Sequence, residues 1–205
     1  MRHTSNHLVL TKVALLLTFW SPFDAEHQVN NYWVDRAFFH ARAIKLWDSQ
    51  GETDIMSGRR RIVWWCCLLR DRLISVALRR FSRIQENKST WPIITEADFG
   101  PEVMFPKFMT VKRKQAVLQS FIWWCSLSDI IRDIAVFQEK KRVDQERSDG
   151  LVTEAAVISE LAQVSRFDNR LRTWKKGYLQ VSSDYIRSMK PGTSKLPNHV
   201  LIIGE

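Results

Sequence analysis

Arg59-Arg60-Arg61-Ile62-Val63-Trp64-Trp65-Cys66-Cys67-Leu68-Leu69-Arg70-Asp71-Arg72-Leu73, running on to Arg79-Arg80, contains neither glycine nor proline. Ile62, Trp65, Cys66, Leu69, Leu73, Val76 and Ala77 recur at helical spacing, which predicts a helix with these residues on its core face. Trp64, Leu68 and Asp71 mark a second face at spacings of four and three. A helix with two such faces belongs at the centre of an array, with neighbours on both sides. Ser57 is the expected N-cap. Arg79 and Arg80 fall in the expected last turn, where cations offset the negative end of the helix dipole. Asp71 is expected to accept from nearby arginines or from a backbone amide.

The remaining composition supports a helical protein. At 205 residues the chain is long enough for one domain with a sizeable core. Apolar residues make up 45%, with nine tryptophans, so there is ample surface to bury. Seven glycines and six prolines leave long uninterrupted windows, which favours helices over short strands. Between Arg59 and Arg83 eight arginines face one acid, Asp71, so this segment carries +7 of the net +9. Arg59, Arg70, Arg79 and Arg83 are the candidate basic patch. Such a stripe suits nucleic acid or an acidic partner, or else a solvated face whose arginines pair with acids from elsewhere.

Three cysteines, Cys66, Cys67 and Cys125, make neither a disulfide framework nor a C-x-x-C pair, and the five histidines are scattered. A zinc site within this chain is therefore not expected, and reduced, buried thiols fit an intracellular protein. Val13 to Trp20 is far shorter than the roughly 20 residues of a membrane span. Lys12 and the Trp20-Ser21-Pro22-Phe23 context also read against a signal peptide, leaving a core helix.

Five helices and one extended connector are expected. The first covers about Leu8 to Trp20. The second runs from about Asn31 to Ser49, with Trp33, Ala37, His40, Ile44 and Trp47 on one face and Gly51 closing it. His40 there reads as a packed, hydrogen-bonded core histidine. The third is the double-tryptophan helix. Pro92, Pro101 and Pro106 make the stretch from Trp91 to Met109 an extended crossing loop, in which Asp98 turns the chain and Phe99 plugs the core. The fourth helix spans about Lys114 to Lys141, with Val117, Phe121, Trp124, Ser128, Ile131 and Ala135 on one face, and the charged run Glu139 to Asp149 reads as an exposed loop. The fifth runs from about Thr153 to Lys176, burying Ile158, Leu161, Val164, Leu171 and Trp174, and Gly177 ends it. Pro191 to Glu205 is too short to judge. Ile122-Trp123-Trp124-Cys125 echoes Val63-Trp64-Trp65-Cys66, but the similarity does not extend over a repeating unit.

The double-tryptophan helix, with Arg60, Arg61, Trp64, Trp65, Asp71, Arg72 and Arg80, resembles the signature helix in the middle homology region of fungal zinc-cluster transcription factors of the xylanolytic and cutinase activator type. Other segments match that family in order. Ala14-Leu15-Leu16-Leu17 with Trp20 looks like its leucine-rich helix, and Tyr32-Trp33-Val34 with Ala41-Arg42-Ala43-Ile44-Lys45-Leu46 like the helix after it. Asp98-Phe99, Leu127-Ser128-Asp129-Ile130 and Leu161 through Trp174 fall where the family places similar pieces. The resemblance spans about Leu8 to Trp174. It implies an all-α, multi-helix array of the middle homology type, crossed by the proline-containing loop. Residues 1–180 would form a partial regulatory domain, and 181–205 a C-terminal tail or a truncated next helix.

By the same resemblance the chain is a regulatory and interaction domain of a transcription factor acting on RNA polymerase II genes in the nucleus. Zinc is expected only in the N-terminal cluster that family members carry and that this sequence lacks, so no cofactor is expected here. DNA would be read only through that missing cluster. The expected partners are transcriptional co-regulators or the rest of a longer parent protein, with no membrane and with homodimerisation left open, although no sustained heptads favour a coiled coil. The chain reads as an internal fragment, a truncated product or an incomplete gene model. The alternative is non-specific nucleic-acid binding by the Arg59–Arg83 stripe. No G-x-G-x-x-G, P-loop or G-x-S-x-G occurs, and no paired acids lie near a histidine, so an enzyme is not expected.

Overall fold

The computed structural model describes residues 6–20, 28–48, 54–78, 80–84, 91–104, 109–147 and 153–188. Five α-helices account for most of these: α1 (His7–Leu17), α2 (Gln28–Ala43), α3 (Asp54–Ala77), α4 (Val111–Arg147) and α5 (Glu154–Ser188). A 3-10 segment covers Glu96–Met104, and no strand occurs among the described residues. The chain is therefore all-α, as its composition and periodicity predict. None of these helices is long and apolar enough to cross a membrane. Two compact units form: residues 1–100 with 131–147, and residues 101–130 with 148–205.

In the first unit, α1 packs mainly on α2 and also meets α3. Asn6 caps α1 by accepting from the Val9 amide at 3.3 Å. The helix ends at Leu17, earlier than the expected Trp20, because Thr18 takes over its last carbonyls: its amide donates to Ala14 O and its hydroxyl to Leu15 O at 2.6 Å.

α2 buries Val34, Ala37, Phe38 and Ala41, so its core stripe is rotated from the expected one. Trp33 and Ile44 are half-buried and Trp47 is exposed. Small residues at 37 and 41 let α2 approach its neighbours closely. The helix stops at Ala43, where Lys45 adopts a left-handed φ of 46°. The Leu46 amide donates to Ala41 O and the Lys45 amide to Arg42 O, the paired bonds of a Schellman cap, with Leu46 buried beneath. Lys45 thus takes the capping role expected of Gly51, which lies outside the described residues.

α3 starts at Asp54, so Ser57 is not its N-cap but sits inside its first turns. Its deepest residues are Trp64, Cys67, Leu68, Asp71 and Ser75. The expected second face is therefore the main core face, while Ile62, Cys66, Leu69, Leu73 and Val76 are half-buried and Ala77 is exposed. Arg80 lies beyond the last turn, and its amide closes the end of α3 on Ser75 O at 2.9 Å. Arg79 is outside the described residues. The crossing segment inserts Ile94 into the core rather than Phe99, which is half-buried.

In the second unit the early part of α4 packs against α5 through tryptophan. Trp174 meets Trp123 and Trp124 edge-on at 6.3 and 6.4 Å, and stacks on Tyr178 at 5.2 Å. Its indole N–H donates to Trp123 O at 2.9 Å. Gly177 does not end α5; a Cβ there would strike the Trp123 ring, so this glycine makes room for an interhelical contact. Leu118, Cys125, Ser128 and Ile130 are buried along α4, whereas Val117, Phe121 and Trp124 are half-buried. The charged run after Glu139 is helical to Arg147 rather than a loop, because Glu, Lys, Gln and Arg are good helix formers. Ile158, Leu161 and Val164, expected to be buried, are 60%, 63% and 48% exposed.

Candidate functional site

Arg60 and Arg61 of α3 are drawn inward by acceptors that their positions in sequence do not reveal. Arg60 lies beside the end of α2, where its Nη2 contacts Ile44 O at 2.8 Å, Lys45 O at 2.9 Å and Asp48 O at 3.1 Å. Those carbonyls lie just past the end of α2, with Lys45 O also accepting from the Asp48 amide at 2.8 Å, so a cation there meets the negative end of the helix. Arg61 donates to Ser57 Oγ at 3.1 Å and forms an ion pair with Asp98 Oδ1 at 3.0 Å, tying α3 to the crossing segment. Asp98 accepts from the Thr95 amide and hydroxyl, so one carboxylate both turns the chain and anchors it.

Between these arginines and Asp71 stands the double tryptophan. Trp64 is enclosed by the rings of Phe38, Trp47 and Trp91, with centroids 5.8, 5.3 and 5.0 Å away. Trp65 directs its indole N–H to Pro92 O at 3.1 Å, and the buried Arg72 lies 5.9 Å from its ring. The adjacent tryptophans thus hold different neighbours, Trp64 receiving Phe38 of α2 and the Trp91 ring, and Trp65 the Pro92 carbonyl.

Asp71 is the polar centre. It has no solvent exposure. Oδ2 accepts from the Ser82 hydroxyl at 2.5 Å and the Arg83 amide at 2.7 Å, and Oδ1 from Arg83 Nη1 at 2.6 Å. Arg80 Nη2 lies 3.9 Å from the same carboxylate. Arg83 then spans to α2: Nε donates to Asp35 Oδ1 at 2.5 Å, and Nη2 to Asn31 O and Oδ1 at 3.0 and 2.6 Å. One guanidinium therefore latches the segment after α3 to both α3 and α2. The Arg83 hydrogen bond holds the Asp35 carboxyl below the usual range, against the effect of burial. Burial opposes the charge of Arg83, but the bonds to Asp35 and Asp71 outweigh it and raise its pKa. Arg80 Nε and Nη2 make no hydrogen bond to either acid, and burial, then the charge of Arg83, lowers the Arg80 pKa against the pull of Asp71 and Asp35.

Arg70 points the other way, donating to Thr18 Oγ1 and O at 2.9 and 2.5 Å with Phe19 4.1 Å beneath its guanidinium. The basic stripe consequently does not form one outward row. Arg60, Arg61, Arg70, Arg72, Arg80 and Arg83 all have protein neighbours, and Arg59, on the exposed side of α3, is engaged as well. Burial pushes the Cys66 thiol up to about 11 and raises Cys67 further, so neither is a ready thiolate. Among the described residues no three His, Cys, Asp or Glu side chains gather where a metal ion would sit, so they do not fit a zinc cluster.

Asn31, Asp35 and Ser82 are the members of this site that periodicity does not expose, because each contributes hydrogen bonds and no pattern. Gly58 left a signal: a glycine within a helical window marks a close approach. A Cβ there would lie 2.5 Å from Asp98 O, so α3 and the crossing segment meet backbone to backbone.

Residues 9–176 match the model of the fungal-specific transcription factor domain. The chain belongs to that family. Its double-tryptophan helix, the Asp71–Arg83–Asp35 latch and the Trp123, Trp124 and Trp174 rings all lie within the matched region. Residues of the chain are 31% identical over 105 positions to cutinase transcription factor 1 beta of Fusarium vanettenii, covering 50% of this chain and 12% of that protein. A transcription factor of Fusarium pseudograminearum (strain CS3096) is 37% identical over 89 positions, covering 42% and 10%. The chain thus matches about a tenth of each relative's length. No solved structure gives a significant match. The family and both relatives are transcription factors, not enzymes.

Proposed function

We propose that this member of the fungal transcription factor domain family is a regulatory and interaction module that governs RNA polymerase II transcription in the nucleus without reading bases itself. Family membership over residues 9–176 carries this reading. The buried latch supports it, since one guanidinium joins two helices through charged hydrogen bonds that a contact or modification can redistribute. Sequence-specific DNA contact is assigned to a zinc cluster elsewhere in a parent protein, and no cofactor to this chain. The partners are co-regulators or other parts of that parent, with a second copy of the chain as a further arrangement to be read by light scattering.

The test is to tether the chain to an unrelated DNA-binding domain upstream of a reporter in a fungal host. Reporter output is expected to differ from that of the DNA-binding domain alone, and Asp71→Asn is expected to remove the difference. Output equal to the bare DNA-binding domain would sink the regulatory reading. The nucleic-acid alternative is checked beside it by titrating duplex DNA at low salt. With six of its arginines engaged internally, the chain is expected to give no steep salt-dependent binding.

A further inference from the structure

The spacing of Arg79-Arg80-Phe81-Ser82 carries a signal beyond the contacts described above. Ser82 is the sole serine or threonine of the chain with arginine at both the third and the second preceding positions. Guanidinium groups placed ahead of a hydroxyl match the acidic substrate groove of a basophilic kinase by charge complementarity. Residues 80–84 follow the end of α3 and form no helix or strand, so the hydroxyl is carried on backbone able to extend into such a groove.

We propose that Ser82 is a phosphorylation site for a basophilic protein kinase, and that its phosphorylation opens the Asp71–Arg83–Asp35 latch. The proposal deepens the regulatory reading, on which its biological meaning rests. In the transfer, Ser82 Oγ bonds to the γ-phosphorus of ATP while the bond from that phosphorus to the β-phosphate oxygen breaks. ADP leaves with the bonding pair, and the hydroxyl proton passes to the catalytic carboxylate of the kinase.

The consequence follows from what the hydroxyl does now. It donates to Asp71 Oδ2 at 2.5 Å, against a carboxylate that has no solvent exposure. The phosphoester oxygen has no proton to donate, and the group brings about −1.5 to −2 charges at neutral pH. Two anions in contact without water repel, so Ser82 and Asp71 separate. The cations then redistribute. Arg80 Nε and Nη2 are buried without a hydrogen-bond acceptor, and Nη2 lies 3.9 Å from Asp71. A phosphate two residues away supplies the oxygens these donors lack. Arg83, the next residue in the chain, is drawn to the same dianion and away from Asp35 and Asn31. The unmodified and modified chains therefore have different pairings, and the second one frees α2 from the end of α3. Because Ser82 is buried, the kinase acts on the transiently lifted segment, and the phosphate prevents it from reseating.

The full 205-residue chain is incubated with magnesium ATP and the catalytic subunit of cyclic-AMP-dependent kinase, and phosphate is located by peptide mass spectrometry. A free peptide of residues 76–86 reports that the kinase accepts the sequence. The expected result is phosphate on Ser82, with a melting temperature lowered by roughly 5 °C and faster amide exchange at residues 31–35 and 80–84. Ser82→Ala, which loses only a neutral donor, is expected to fall by less than half as much. A phosphorylated peptide beside an unmodified folded chain would overturn the proposal. So would a phosphorylated chain that melts and exchanges like the unmodified one, or one that matches Ser82→Ala. These measurements read phosphate and amide protection, not transcription, so their failure is distinct from failure of the tethered reporter.

Discussion

Asp71 and Trp64 show how one position on α3 draws its importance from what surrounds it. Replacing Asp71 with Asn keeps the shape but leaves Arg83, only 11% exposed, facing a neutral amide. Loss of one member of a buried pair costs about 3 kcal/mol. We expect a lower urea midpoint with an unchanged slope; a loss under about 1 kcal/mol would show that Asp35 alone can hold Arg83. Trp64→Ala opens a void between three aromatic rings and is expected to cost roughly 3–5 kcal/mol in the same measurement. A loss near that of an exposed residue, within about 0.5 kcal/mol, would contradict its enclosure.

Among the helices, glycine decides two contacts in ways that propensity does not foretell. Ala is normally favoured over Gly inside a helix by about 1 kcal/mol. At Gly58 the added methyl meets the Asp98 backbone, and displacing backbone costs roughly 1–3 kcal/mol, so the clash outweighs the propensity gain. Gly58→Ala is therefore expected to lower the melting temperature, and a rise would show that the crossing segment moves aside freely. Along α5 the two halves differ. Trp174→Ala is expected to destabilise by roughly 3–5 kcal/mol, as a buried aromatic lost. Leu161→Lys, at a position 63% exposed, should change stability by no more than about 0.5 kcal/mol in denaturant unfolding. A large loss at Leu161 would mean that its face is covered in solution.

For the chain as a whole, stability should depend on pH through the pair that joins α1 to α2. His7 Nδ1 and His40 Nδ1 are 3.0 Å apart, and such a bond needs one nitrogen to be unprotonated. Burial first, then Arg36 and His7, holds the His40 imidazole below its ordinary value. The unfolded chain therefore binds this proton before the folded chain does. Stability is complete above the unfolded pKa of about 6.5 and is lost as pH falls from there through the folded value. We expect the melting temperature to drop between about pH 7 and pH 5, with a shallower drop in His40→Gln. Equal slopes in the two proteins would place the titration elsewhere. The lowered Asp35 carboxyl acts in a separate, more acidic window, below its ordinary value of 3.8.

The all-α class and the helix that carries the double tryptophan were legible in the amino-acid order, because helical spacing over a long window is a local property repeated many times. The family was legible too, through the double tryptophan and the ordered series around it. Helix ends were less so. α2 stops on Lys45 and α5 runs through Gly177, since a cap can be supplied by Arg60 from another helix and a glycine can be retained for the ring of Trp123. The choice between the two faces of α3 was not legible, as both carry large apolar residues at helical spacing. Packing of Phe38, Trp47 and Trp91 around Trp64 settled it. Nor does the sequence tell a basic stripe from a buried network. That distinction rests on Thr18, Asn31 and Asp35, which come within hydrogen-bonding distance of the arginines only when the chain folds back on itself.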